Sequence, residues 1–374
     1  MTRDQKLIGV FATLFVLTAG VVGAEVVREA PLPPVPTILR DVPTGPDGRL
    51  SIQLFGDTML GGEFPLLIQQ RQQGPDWPFD AVRSHLAGAD YVIAAAEAPI
   101  SDHVEPWDPS SASVFVSGPE AAAVMARAGV DALSLATDHA FDTGPVGLAD
   151  TMRHADMAGV STFGAGPDLP RAEQPLMLRT EFGTIGIVGM GESFGHRAGA
   201  ISPGTMVLSP EAVQRGADLA RAAGADWVVA VVHWGDSYQP VAPRQRYWAE
   251  VFATAGYDLV VGSGPHYVQP IEVIGSMPVL YSVGNFVYGT NGRYQQLGIP
   301  GFGLSAGFEL SRDAPPRLAV RCVAADNRAV EFQPRPCNPA ETLAFLPTLN
   351  AELEVQGGLA VLRCGTCFAK PDEE

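Results

Sequence analysis

Ile52-Gln53-Leu54-Phe55-Gly56-Asp57-Thr58-Met59 reads as a buried strand that ends in a carboxylate. The run Ile52–Phe55 is short and mostly apolar, Gly56 interrupts it, and Asp57 follows at once. Runs of the same kind recur at Tyr91–Ala95, Ala132–Ala136, Ile185–Val188, Trp227–Val232, Leu259–Val261 and Val279–Val283. They are near-continuously apolar rather than alternating, as in strands buried on both faces. Between them lie helical stretches. Ser209-Pro210-Glu211 supplies an N-cap, a proline at the first helical position and an acidic first turn, and Gly224 ends the stretch. Pro119–Gly129 and Pro243–Gly256 have the same form. Gly88-Ala89-Asp90, Gly129-Val130-Asp131, Gly224-Ala225-Asp226 and Gly256-Tyr257-Asp258 each stand between a helical stretch and an apolar run. Helix and strand therefore alternate, which predicts an α/β architecture.

The residues that close the runs carry the chemistry. Glu97 follows Tyr91–Ala95, and Asp138 and His139 follow Ala132–Ala136. His233 follows Trp227–Val232, His266 follows Leu259–Val261, and Asn285 follows Val279–Val283. In an open α/β sheet, ligands bind at the carboxyl ends of the strands. If the runs are parallel neighbours, these side chains converge on one edge. Carboxylates and imidazoles without cysteine suit a divalent ion such as Mn, Zn or Fe. Each residue also has a plainer reading. Asp57 would cap a helix, His139 would pair with Asp138 or Asp142 in a loop, His233 would be a packed core histidine, and His266 would end a turn. Glu97 sits in Ala94-Ala95-Ala96-Glu97-Ala98-Pro99, too apolar for a solvated face, so it needs a partner. The joint placement at strand ends favours a site. His85, His103, His154 and His196 lack that placement and read as surface or packing residues.

Composition narrows the partners. The chain has 374 residues, 46% hydrophobic and 17% charged, a globular composition. Its net charge of −17, from 24 basic and 41 acidic side chains, excludes nucleic acid as a partner. An anionic substrate needs a local cation, such as a metal or a few arginines. At the N-terminus, Arg3 and Lys6 precede an uncharged run from Leu7 to Ala24 that ends in small residues. Residues 1–24 read as an export signal, either cleaved or kept as a membrane anchor. Residues 25–48 are proline-rich and read as an extended spacer. A main domain is expected over 49–312. Residues 313–374, broken by prolines, read as a smaller extension. All four cysteines fall there: Cys322, Cys337, Cys364 and Cys367. In an exported chain they predict disulfides, with three pairings open; Cys364-Gly365-Thr366-Cys367 also has the form of a redox or zinc motif.

The motifs resemble those of the CapA family of capsule and poly-γ-glutamate synthesis proteins. Leu54-Phe55-Gly56-Asp57-Thr58-Met59-Leu60-Gly61 is similar to the family's Gly-Asp opening, and Ala96-Glu97-Ala98-Pro99-Ile100 to its Asn-Leu-Glu-Gly-Pro. Ala136-Thr137-Asp138-His139 resembles Ala-Asn-Asn-His. Val231-Val232-His233-Trp234-Gly235 matches His-Trp-Gly. Gly262-Ser263-Gly264-Pro265-His266-Tyr267-Val268 resembles Gly-His-His-Pro-His-Val, and Tyr281-Ser282-Val283-Gly284-Asn285-Phe286 closes the set. The likeness runs from about residue 50 to about residue 290. It implies a calcineurin-like metallophosphoesterase αββα sandwich. It also implies Asp57, Glu97, Asp138, His233 and His266 as metal ligands, His139 as the acid at the leaving group, and Asn285 as support. Asp138 stands where the family has Asn. Gly264 stands where it often has His and removes one ligand, so one or two ions are expected. Two functional readings follow. One is metal-dependent hydrolysis of a phosphoester or amide in an anionic envelope polymer. The other is a non-catalytic accessory role in exporting or anchoring such a polymer. Both place the chain outside the cytoplasm, periplasmic or anchored to the outer face of the cytoplasmic membrane.

Overall fold

The computed structural model describes residues 38–192 and 196–370. Two mixed β-sheets pack face to face, because side chains along each strand alternate between two apolar environments. Leu50, Ile52 and Leu54 meet Ile185, Ile187, Val229, Val231, Leu259 and Val261 in the layer between the sheets. The outer face of one sheet, with Val92, Ala94 and Ala96, is covered by Val124, Met125 and Leu148 of the helices Ala121–Ala128 and Gly144–Met157. On the other sheet, Val188, Val228, Ala230 and Val232 are covered by Val213, Ala217, Ala249 and Phe252 of Pro210–Ala222 and Pro243–Thr254. The result is the αββα sandwich expected from the sequence. Both faces of each central strand are buried, hence the unbroken apolar runs.

The seven-stranded sheet runs, edge to edge, Ile38–Asp41, Leu176–Thr180, Gly183–Gly191, Trp227–His233, Leu259–Ser263, Met277–Leu280, Ile271–Ile274. In the ten-stranded sheet, the strands from Arg49–Met59 through Tyr91–Ala96 and Ala132–Ser134 to Ser161–Phe163 are parallel. The repeated Gly-Xaa-Asp pattern fixes register. Asp90, Asp131, Asp226 and Asp258 accept the backbone N–H of Ser51, Val92, Thr184 and Val228 at 2.8, 2.8, 2.7 and 2.8 Å. Their own N–H groups donate to the carbonyls of those same residues. Each aspartate thus clamps an incoming parallel strand to its neighbour.

Two boundaries differ from the sequence reading. Ile38–Asp41, inside the stretch read as spacer, is an edge strand parallel to Leu176–Thr180. No proline falls between Ile38 and Val42, so the ladder is unobstructed. The stretch read as a C-terminal extension contributes strands to the main sheet over its described residues, 313–370. Arg317–Ala324 pairs with Phe302–Ser311 inside the ten-stranded sheet, and Leu359–Leu362 and Leu353–Gln356 continue it to the edge. The prolines there lie mostly between these strands. The cysteines pair as Cys322–Cys337 and Cys364–Cys367. Among the described residues no helix is long and apolar enough to cross a membrane. The segment 1–24, read as signal or anchor, lies outside the described residues.

Candidate metal centre

Asp57 lies in Arg49–Met59, Glu97 directly follows Tyr91–Ala96, and Asp138 and His139 lie in the turn after Ala132–Ser134. These belong to the ten-stranded sheet. His233 ends Trp227–His233 and His266 follows Leu259–Ser263 in the other sheet. The two sets meet at a seam. Gly264 N–H donates to Asp57 Oδ2 at 3.2 Å, and Val283 N–H donates to the Gly262 carbonyl at 2.9 Å. Between Leu280 and Asn285 the chain crosses from one sheet to the other. Asn285 therefore starts a strand, Asn285–Tyr288, that pairs in register with Asp57. The sequence placed it at a strand end; the position at the seam is the same.

All the predicted residues come together. His233 Nε2 lies 2.9 Å from Asp138 Oδ1, and His233 Nδ1 lies 3.6 Å from both Asp57 Oδ1 and Glu97 Oε2. His266 Nδ1 is 3.2 Å from Asp57 Oδ2 and 3.0 Å from Asn285 Oδ1. Two triads, Asp57–Glu97–His266 and Glu97–Asp138–His233, each bring three ligand atoms within 4.8 Å of one another. Glu97 belongs to both. Asp57 and Glu97 are each 0% exposed. Asp57 Oδ1, both Glu97 oxygens and Asp138 Oδ1 are buried with no hydrogen-bond partner; the 2.9 Å approach of His233 to Asp138 lacks hydrogen-bond alignment. Buried carboxylate oxygens without partners cost free energy unless a cation meets them. The donor set of carboxylates and imidazoles fits a divalent ion.

The electrostatics express the same crowding. Burial pushes the Glu97 carboxyl well above its usual range; the nearby Asp57 and Asp138 charges add to this against the pull of His233. Burial alone would raise Asp57 and Asp138 too. The His233 and His266 imidazoles outweigh it at Asp57, and at Asp138 the His233, His139 and His266 imidazoles do so, holding both below the normal carboxylate range. Burial works against a charged His233, but Glu97 and Asp138 hold its proton well above the usual range. His139 stands apart. Its Nδ1 is 2.8 Å from Asp142 Oδ2, and its Nε2 lies 4.0 Å from Asp138 Oδ2. Burial lowers its affinity for a proton; Asp142 and Asp138 more than offset that, so the imidazole titrates above its ordinary value.

Several supporting residues carried no signal in the sequence. His266 and Tyr238 both have left-handed backbones, at φ 61° and 59°, a conformation that costs non-glycine residues free energy and clusters at functional sites. Their rings are 5.7 Å apart. Tyr238 N–H donates to the Pro265 carbonyl at 2.8 Å, and Tyr294 OH donates to the His266 carbonyl at 2.8 Å. Ser263 Oγ is 3.1 Å from His233 Nδ1. Asp142 was visible only as a neighbour of His139. His196, read as surface or packing, lies 4.6 Å from Phe141 and 5.5 Å from Trp107, beside the site. His85, His103 and His154 are not in the cluster. Gly264 is required where it stands. Its φ is 107°, and a Cβ there would lie 2.7 Å from the Trp234 carbonyl and 3.0 Å from His233 Nε2. A histidine does not fit this backbone.

Carboxylates and imidazoles thus converge at the strand ends of an αββα sandwich. Residues 51–290 match the family model of the bacterial capsule synthesis protein PGA_cap. The chain belongs to this family. It is 28% identical over 250 residues to the capsule biosynthesis protein CapA of Bacillus anthracis, covering 64% of this chain and 60% of that one. It is 30% identical over 251 residues to the PGA biosynthesis protein CapA of Bacillus subtilis strain 168, covering 66% and 65%. The match thus spans less than two thirds of the length of these relatives. A solved structure, TT1561 of Thermus thermophilus, aligns over 77% of this chain and 98% of that one at 11% identity. The TM-score of that alignment is 0.39.

Proposed function

We propose that this chain is an exported cell-envelope hydrolase acting in capsule or poly-γ-glutamate-type polymer synthesis. Its cluster would hold one or two divalent ions, Mn, Zn or Fe, and the substrate is a phosphoester or amide of an anionic envelope polymer or its precursor. The observation that carries this is the set of buried, unpartnered oxygens on Asp57, Glu97 and Asp138, facing two imidazoles. Asp57, Glu97 and His266 would hold one ion and Glu97, Asp138 and His233 the other. A bound divalent ion supplies Lewis acidity and an activated water. The protein's residues do the rest. Asn285 orients His266 through Nδ1. Asp142 fixes His139 by its Nδ1, leaving Nε2 towards the cluster with a proton to give the departing oxygen or nitrogen. The cations also let an acidic protein receive an anionic substrate. Export rests on the reading of residues 1–24 as a signal or anchor, under which the domain would lie in the periplasm or on the outer face of the cytoplasmic membrane. A membrane contact exists only if that segment is retained.

A second reading drops the turnover, making the chain a non-catalytic accessory for export or anchoring of the polymer. Gly264 favours it, because this position contributes only a backbone N–H to the cluster. Elemental analysis of the purified protein and of His233→Ala tests the metal site: stoichiometric metal in the first and not the second is expected. No metal in either under any loading condition overturns the hydrolase and favours the accessory reading. Hydrolysis of phosphoesters or γ-glutamyl amides by the loaded protein then separates them.

A further inference from the structure

From Ser101 to Ser117 the chain forms no helix or strand beyond a bridge at Ser117. Its ends are pinned together: Ser101 N–H donates to the Ser117 carbonyl at 3.0 Å, Ser117 N–H donates to the Pro99 carbonyl at 2.8 Å, and Ser101 Oγ donates to Asp150 at 2.6 Å. Irregular segments longer than about 12–15 residues with joined ends are commonly binding loops. This one returns two aromatic rings to the site. Phe115 lies 4.6 Å from the His139 ring, and its N–H donates to Asp142 Oδ2, the oxygen that holds His139. Trp107 N–H donates to the Asp142 carbonyl at 2.8 Å. The indole sits edge-on to Phe141 and His196, over Gly144, where a Cβ would come within 2.4 Å of the ring. It remains 50% exposed.

Between loop and site lies a cleft of about 200 Å³, lined by Trp107, Asp108 and Ser111 on one side and Asp138, Asp142 and His196 on the other. That is smaller than a pocket for a drug-sized molecule and suits a single ring. No lysine or arginine lines it, and the carboxylates of Asp108, Asp138 and Asp142 disfavour an anion. A half-exposed indole presents an apolar face, and the carboxylates present hydrogen-bond acceptors. An uncharged ring bearing hydroxyls matches both, its C–H face on the indole and its O–H groups donating to the carboxylates.

We infer that this cleft is the leaving-group subsite and seats one uncharged polyhydroxylated ring, a glycosyl unit, beside His139. The inference rests on the proposed hydrolase reading and narrows its substrate to a phosphoester of such a ring. Water adds to phosphorus, and the P–O bond to the ring breaks with its electron pair on the ring oxygen. That oxygen takes the His139 Nε2 proton, and the proton released by the water returns to the imidazole through solvent. Anionic parts of the polymer lie outside the cleft.

Saturation-transfer NMR on the whole protein, in chelator, tests the subsite apart from any metal or turnover. The probes are the methyl glycosides of glucose, galactose and N-acetylglucosamine, with tri-γ-glutamate as the anionic comparison. Transfer to the ring C–H protons of at least one glycoside is expected. It should weaken by up to about tenfold in Trp107→Ala and persist in Trp107→Phe. No transfer to any glycoside, transfer indifferent to Trp107, or Trp107-dependent transfer to tri-γ-glutamate overturns the inference. A thermal melt of each variant shows that the fold is intact. Metal analysis of the same samples keeps the two claims separate: glycoside binding without a metal site leaves the cleft standing and removes the hydrolase, and the reverse removes only the cleft.

Discussion

Glu97→Gln separates what the cluster costs the fold from what it does. Glu97 is fully buried, both its oxygens lack partners, and it belongs to both ligand triads. Its carboxyl is pushed up by burial first, then by Asp57 and Asp138. In the unfolded chain the same group ionises in its ordinary range. Between those two ranges the folded state binds the extra proton, so stability falls as pH rises through that window. Gln cannot ionise, and its amide can donate to Asp57 or Asp138. In chelator the variant should therefore match the wild type at low pH and exceed it at pH 9. An unpartnered buried group costs roughly 1–3 kcal/mol. At about 2 °C per kcal/mol for a chain of this size, the variant gains about 2–6 °C. Metal narrows this gap, and reverses the order wherever the gap is below about 5 °C. At an ion concentration about 100 times Kd the wild type gains about 2.7 kcal/mol, or about 5 °C on the same slope, and the variant gains none. Thermal melts at two pH values, with chelator and with Mn, check all four corners. A variant that melts below the wild type in chelator at pH 9, or that gains as much from Mn, would refute the assignment of Glu97.

Other consequences are independent of this one. Ion binding must expel the protons held high on Glu97 and His233, so affinity should rise with pH; calorimetry in two buffers of different ionisation enthalpy should show net proton release, and equal heats in both would count against it. Gly264→Ala sets a Cβ 2.7 Å from the Trp234 carbonyl and 3.0 Å from His233 Nε2 at φ 107°. It should cost about 2–4 kcal/mol in denaturant unfolding and weaken ion binding as well. Removing Cys322–Cys337, with a sequence separation of 15, should cost about 3 kcal/mol on the chain-entropy model; removing Cys364–Cys367, separated by 3, should cost less, and the reverse order would sink the argument. Asp142→Asn should lower the His139 pKa as followed by NMR, since the Asp142 carboxylate is the foremost group holding that proton; an unmoved titration would show that Asp138 alone suffices.

The sequence revealed the layers and the site but not how they join. Apolar runs closed by polar residues were visible because strands buried on both faces leave no alternation to confuse with surface. The helix limits were legible for the same local reasons: Ser209 caps through Ala212 N–H, and Gly129, Gly224 and Gly256 turn left-handed after their helices. That the strands divide into two sheets was implied by the family resemblance and not by the apolar runs themselves. Periodicity reports which faces are buried, and inter-sheet and helix-facing positions look alike. The crossing between Leu280 and Asn285 is likewise invisible, since a run ending in Gly284-Asn285 reads the same whether or not the chain changes sheets. Trp107 and Phe115 carried no pattern because their loop has no period. Tyr238 contributes through a strained backbone that composition does not encode.

The strongest reason to read the cluster as functional is the contrast between the two ends of the strands. At one end, Asp90, Asp131, Asp226 and Asp258 are each satisfied by a backbone N–H of the neighbouring strand and serve the fold. At the other, Asp57, Glu97 and Asp138 carry buried oxygens that no hydrogen bond satisfies, crowded against the imidazole of His233. The same residue classes on the same strands are thus satisfied where structure needs them and left unsatisfied where the two sheets meet. The left-handed backbones of Tyr238, Gly264 and His266 gather at that same end. Crowded buried carboxylates and backbone strain both oppose folding, and a fold selected for stability alone would relieve them with apolar side chains of similar volume. Their coincidence at one seam, where His233 and His266 of one sheet face the carboxylates of the other, is the arrangement that could hold a cation.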